Sequence, residues 1–172
     1  MEIHNREIAV SDTSVLINFL AVSRVDLLVH EYQVLITNHV RREVTLHYPE
    51  ELARLEEALN SGQLTEIVVA TREELETFAN LIGSPSKRLG AGECAAIAAA
   101  IHRNVPITID DRVAIRHLQN QYPMCKVETT QSLIVRLIRN GAISIGIADQ
   151  LKSEWENKFR FRLKVSSFAE LL

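Results

Sequence analysis

The chain has 172 residues, 47% hydrophobic and 24% charged, a size and balance expected of one globular domain over residues 1–172 with a core of its own. Its net charge of −3 excludes a protein that coats nucleic acid by bulk positive charge, so any such contact has to be local. The longest apolar run, Cys94 to Ile101, is far shorter than the roughly 20 residues of a membrane span, and residues 1–20 lack the basic start and long apolar stretch of a leader, so a cytoplasmic protein with no membrane contact is expected.

Glu7 to Val10 is a short strand-forming run that Ser11 and Asp12 interrupt. Val15, Leu16, Phe19 and Leu20 then recur at helical spacing, which predicts strand, tight turn and a helix over 14–21. Thr13 or Ser14 is expected to cap that helix, leaving Asp12 at the carboxyl end of the strand beside helix N–H groups. Gln33 to Thr37 is a second strand, followed by a helix from about Asn38 that carries Val40, Glu43 and Val44. Pro49 opens a helix that runs to about Leu59 and stops at Ser61-Gly62. Glu66 to Ala70 reads as a strand, Thr71 as a cap with Glu74 three residues on, Glu73 to Ile82 as an amphipathic helix, and 83–87 as a loop. Gly92 to His102 is a nearly uniformly apolar, Ala-rich helix with Glu93 in its first turn, and Val105 to Ile109 is a strand that ends at Asp110-Asp111. A helix over 113–120, a short strand near 126–128, a helix over 131–139 and one more helix in 142–172 complete the order, with a turn or helix over 167–172. Strands alternating with helices predict an α/β/α sandwich, a central parallel sheet flanked by helices, whose sites form outside the carboxyl ends of the strands.

Asp12 and the Asp110-Asp111 pair each come directly after an apolar strand, while Glu43 and Glu93 sit on helices that flank the same edge. Taken singly, each acid is as well explained as a helix N-terminal residue. Together, carboxylates crowded among Val, Leu, Ile and Ala repel one another, and a hard divalent cation, Mg²⁺ or Mn²⁺, is the usual compensation. Such a set supports metal-assisted phosphoryl or phosphodiester chemistry. Lys87, Arg88, Arg112 and Arg116 are the basic residues nearest the acids in sequence and the candidates for holding a substrate. Gly90 to Ala95 formally matches the GxGxxA of dinucleotide-binding folds, but no strand precedes it, so no nucleotide cofactor is expected. His39, Glu43 and His47 share a helix face without the HExxH order of a zinc site, and Cys94 and Cys125 read as reduced thiols outside any CxxC pattern.

The stretches "SDTSVLINFL" (11–20), "REV" (42–44), "GAGECAAIAAA" (90–100) and "ITIDDRVAIR" (107–116) resemble, in that order and spacing, the PIN-domain ribonucleases. The similarity is to the VapC-like subgroup with a Gly-Glu helix and an Asp-Asp pair, and "RFRLKVSSFAELL" resembles that subgroup's tail. The resemblance implies that Asp12, Glu43, Glu93 and the Asp110-Asp111 pair are the metal-binding and catalytic acids, with Ser14 supporting Asp12. Aligning the strand and the Arg after it favours Asp111 as the ligand and Asp110 as its support. It further implies a Mg²⁺-dependent endoribonuclease in which a cation-activated water attacks the phosphodiester, and which acts as the toxin of a toxin-antitoxin pair. Its partners would then be RNA, a small antitoxin protein and a second copy of itself. The alternative is an inactive PIN-like binding module in an RNA-processing or regulatory assembly, which the full set of acids disfavours.

Overall fold

The computed structural model describes residues 6–84, 88–159 and 161–172. Its strands are β1 (Glu7–Ser11), β2 (Tyr32–Thr37), β3 (Leu64–Ile67), β4 (Ile107–Thr108) and β5 (Val127–Glu128). They form one parallel sheet in the order β3-β2-β1-β4-β5. Alternate strand residues supply the two cores, as the two-residue period of a strand requires. Ala9, Val34 and Ile36 face Leu16, Phe19, Leu28 and Trp155, while Val10, Leu35 and Ile107 face Ile97, Ala100 and Leu118. The protein is therefore an α/β/α sandwich with helices on both faces of a parallel sheet.

The connecting helices are α1 (Thr13–Ala21), α2 (Val25–Glu31), α3 (Asn38–His47), α4 (Pro49–Asn60), α5 (Arg72–Ile82), α6 (Ala91–Arg103), α7 (Arg112–Gln121), α8 (Thr130–Arg139) and α9 (Ile145–Lys158), with a final 3-10 turn over Phe168–Leu171. α2 is an addition to the expected order. Its apolar residues Val25, Leu28 and Val29 have helical spacing, but no side chain caps its start. The third strand begins two residues earlier than expected, because Leu64 is the buried residue that pairs with Val34 while Val68 is exposed. The strand expected over 105–109 is reduced to Ile107–Thr108, since Pro106 has no N–H to donate, although its carbonyl still accepts from Val10. Among the described residues no helix is long and apolar enough to cross a membrane.

This register brings the carboxyl ends of β1, β2 and β4 level, with Ser11 beside both Ile36 and Thr108. The chain leaves that edge at Asp12, Thr37 and Ile109, so the turns out of the three strands lie along one rim.

Candidate functional site

Asp12 is itself the N-terminal cap of α1. Its Oδ2 accepts from the Ser14 N–H at 3.0 Å and from the Ser14 hydroxyl at 2.6 Å. The cap is thus Asp12 and not Thr13 or Ser14 as expected, because a carboxylate at the end of β1 already reaches the second helical N–H, and Ser14 supports it. Asp12 is 1% exposed, and among the described residues its buried Oδ1 has no hydrogen-bond partner. Burial, opposed by the Ser14 hydrogen bonds and by Thr13 N–H, lifts its carboxyl to about 6, and the charge of Glu43 adds to the rise.

Glu43 and Glu93 arrive from α3 and α6. The two oxygens of Glu43 are both engaged: Thr13 Oγ1 donates to Oε2 at 2.6 Å and the Gly92 N–H to Oε1 at 2.8 Å. A Cβ placed on Gly92 would lie 2.3 Å from Glu43 Oε2, so the Glu43 carboxylate can keep this place only against a glycine. Glu93 turns back to accept from the Gly90 N–H at 2.8 Å at the start of α6, where the glycine cap offers no side chain of its own. Burial, against that bond, raises Glu93 to about 7, with further contributions from the charges of Asp12, Asp111 and Glu43.

The Asp110-Asp111 pair divides. Asp111 caps α7, accepting from the Ala114 N–H at 2.7 Å, and its charge reaches Glu93. Asp110 points inward and is saturated. It accepts from Thr130 N–H at 2.9 Å, Thr130 Oγ1 at 2.6 Å and Asn18 Nδ2 at 3.0 Å, while burial raises its pKa against these bonds. The Ser14 hydroxyl, which donates to Asp12, accepts from the Asp110 N–H at 3.0 Å and so ties the two chain segments together. Asn18 and Thr130 escaped sequence reasoning. Their signal was a buried amide in an apolar helix and a hydroxyl pair before α8, neither of which points to its partner.

Asp12, Glu43 and Glu93 line a hollow of about 380 Å³ with Tyr48, His47 and Arg88 on it. Arg112 and Arg116 are exposed on α7 and do not line this hollow, and Lys87 lies outside the described residues. His39 stacks against Phe78 at 4.8 Å, so the His39, Glu43, His47 row divides between a ring contact and the hollow. A hollow of similar size beside Pro106, Tyr122 and Cys125 gathers no carboxylate cluster. Among the described residues no three His, Cys, Asp or Glu side chains are placed to hold a metal ion together. Each acid is turned to an N–H or a hydroxyl, the lower-energy choice for carboxylates that repel one another. The donors nevertheless fit a hard cation: all are oxygens, one is the unpartnered buried Oδ1 of Asp12, and two carboxyls are pushed up chiefly by burial, with the charges of neighbouring carboxylates adding to the rise.

In solved structures the same architecture occurs in a toxin-antitoxin complex from Klebsiella pneumoniae, with a TM-score of 0.52 and 17% identity over 71% of this chain and 97% of that one. A second similar structure is VapBC2 from Rickettsia felis bound to a DNA fragment from their promoter, with a TM-score of 0.48 and 14% identity over 71% and 98%. No curated protein sequence matches significantly. Residues 8–172 match the DUF3368 family model, described as a PIN domain, and that span takes in Asp12, Glu43, Glu93, Asp110 and Asp111. On that match, which covers nearly the whole sequence, the chain belongs to the PIN domain family.

Proposed function

We propose that the protein is a Mg²⁺- or Mn²⁺-dependent endoribonuclease and the toxin of a toxin-antitoxin pair. The observation that carries the nuclease reading is Asp12, whose Oδ1 is buried without a partner on the hollow it shares with Glu43 and Glu93, the last of which also feels the charge of Asp111. Asp12, Glu93 and Asp111 would hold the cation, with Glu43 contributing charge from its fixed place between Thr13 and Gly92. Bound there, a divalent ion neutralises phosphodiester charge and lowers the pKa of an attacking water. Ser14 keeps Asp12 oriented, and Asp110 anchors the start of the α7 turn through Thr130 and Asn18. Arg88, on the same hollow, is the cation placed to meet a backbone phosphate. The toxin reading draws on the description of the Klebsiella pneumoniae neighbour, and a small antitoxin is the partner it calls for.

The purified protein is expected to cleave RNA in Mg²⁺ or Mn²⁺ and to stop in EDTA, with Asp12→Asn inactive. Cleavage that ignores chelation, or an active Asp12→Asn variant, overturns the mechanism. Growth arrest on expression without the antitoxin is the expected cellular result. Harmless expression of an RNA-cleaving protein would assign it to housekeeping processing instead.

A further inference from the structure

Tyr48 stands at the corner where α3 ends and α4 begins. Its N–H donates to Val44 O at 2.9 Å, its own carbonyl accepts from Glu51 N–H at 3.2 Å and Leu52 N–H at 3.1 Å, and Pro49 comes next in the chain. The backbone under the ring is therefore fixed on both sides, while the residue is 36% exposed and lines the hollow that holds Asp12, Glu43 and Glu93. An exposed aromatic side chain on a fixed backbone has only two torsions to order, so it costs little entropy to use as a contact surface. His47, Thr13 and Ser14 also line the hollow, and so does Arg88, an exposed cation whose backbone sits in the left-handed region at φ 49°.

A phosphodiester brought to this acidic rim meets repulsion, so its strand needs contacts that add no negative charge. A cationic side chain for the backbone and an uncharged π-face for a base are the two groups that single-stranded nucleic acid uses. We infer that Tyr48 is a base-stacking platform of this site, with one base of the substrate strand stacked on the Tyr48 ring and its phosphate toward Arg88. This rests on the nuclease reading of the same hollow.

The test uses a single-stranded RNA oligonucleotide carrying 2-aminopurine, free or annealed to its complement. Binding is measured by fluorescence in EDTA at low salt, and turnover in Mn²⁺. Tyr48→Ala is expected to raise both Kd and KM for the single strand about tenfold, with kcat within about twofold of wild type and the 2-aminopurine quench lost. Tyr48→Phe, which keeps the ring, is expected to behave as wild type, and the annealed duplex to be a poor substrate. Should Tyr48→Ala fail to fold, as judged by circular dichroism, Tyr48→Leu retains bulk without the π-face and decides the same point. Unchanged Kd and KM in the ring-less variant, an equal loss in Tyr48→Phe, or a duplex cut as readily as the single strand each overturns the inference. If the wild type cleaves nothing in Mn²⁺, the nuclease reading fails, and the quench in EDTA still decides whether Tyr48 stacks a base.

Discussion

At the scale of single residues, burial of Asp12 sets a pH dependence with a definite sign. The native carboxyl, held at about 6, binds its proton more tightly than the unfolded chain does at 3.8. In EDTA, the contribution of this group to stability is therefore fully present below about pH 4 and is lost as the pH rises through 6, by up to about 3 kcal/mol. Glu93, raised to about 7, continues the fall in the same direction. Asp12→Asn should flatten that slope and melt at or above the wild-type midpoint at pH 7.5, whereas added Mg²⁺ should stabilise the wild type by mass action and the variant far less. Urea melts at pH 4, 6 and 8 check this; identical slopes and identical Mg²⁺ responses would make Asp12 a turn residue. The acid pair gives a second contrast. Asp111→Asn keeps a competent helix cap, so it should abolish cleavage at little cost in stability. Asp110→Asn must set its NH₂ against either the Thr130 N–H or the Thr130 hydroxyl and Asn18 amide pair, and should cost about 1–3 kcal/mol while lowering turnover about 10- to 100-fold. Denaturation and cleavage measured on both variants separate the roles. Asp12 and Glu93 were legible in the sequence because each is a carboxylate among aliphatic neighbours. The saturation of Asp110 was not, because its donors lie 92 and 20 positions away and no local pattern announces such a contact.

At the scale of elements, α6 shows why small residues dominate one stretch of the chain. Gly92 admits the Glu43 carboxylate, and Ala96, Ala99 and Ala100 are fully buried between the sheet and α5. Gly92→Ala should expel Glu43 from its bonds to Thr13 and Gly92. The loss of about 1–3 kcal/mol expected for two buried hydrogen bonds outweighs the gain of up to about 1 kcal/mol in helix propensity, and cleavage should fall at least tenfold. A variant more stable than wild type in urea would show that Glu43 gives way freely. Ala99→Leu adds bulk where no space exists and should cost about 1–3 kcal/mol without altering the acids. The Ala-rich pattern disclosed the burial of α6 and the periodicity disclosed most helices. Strand limits were harder, since β3 is set by which residues pair with β2 rather than by its β-branched content.

At the scale of the whole molecule, the rim is assembled from segments around residues 12, 43, 93 and 111, and is tied to the far end of the chain by one contact. Trp155 on α9 is fully buried, packs edge-on against Phe19 at 6.1 Å, and donates its indole N–H to Asn18 O at 2.7 Å, while the Asn18 amide reaches Asp110. Trp155→Phe should therefore cost about 1–3 kcal/mol and also reduce cleavage, although residue 155 touches none of the acids. A loss of stability with undiminished turnover would confine Trp155 to the core. Because it is the chain's single tryptophan, every photon of indole emission comes from a ring two hydrogen bonds away from the acidic rim. The protein thus carries its own optical gauge: a ligand or partner that shifts Asn18 will change the emission colour, with no dye attached and no substrate turned over.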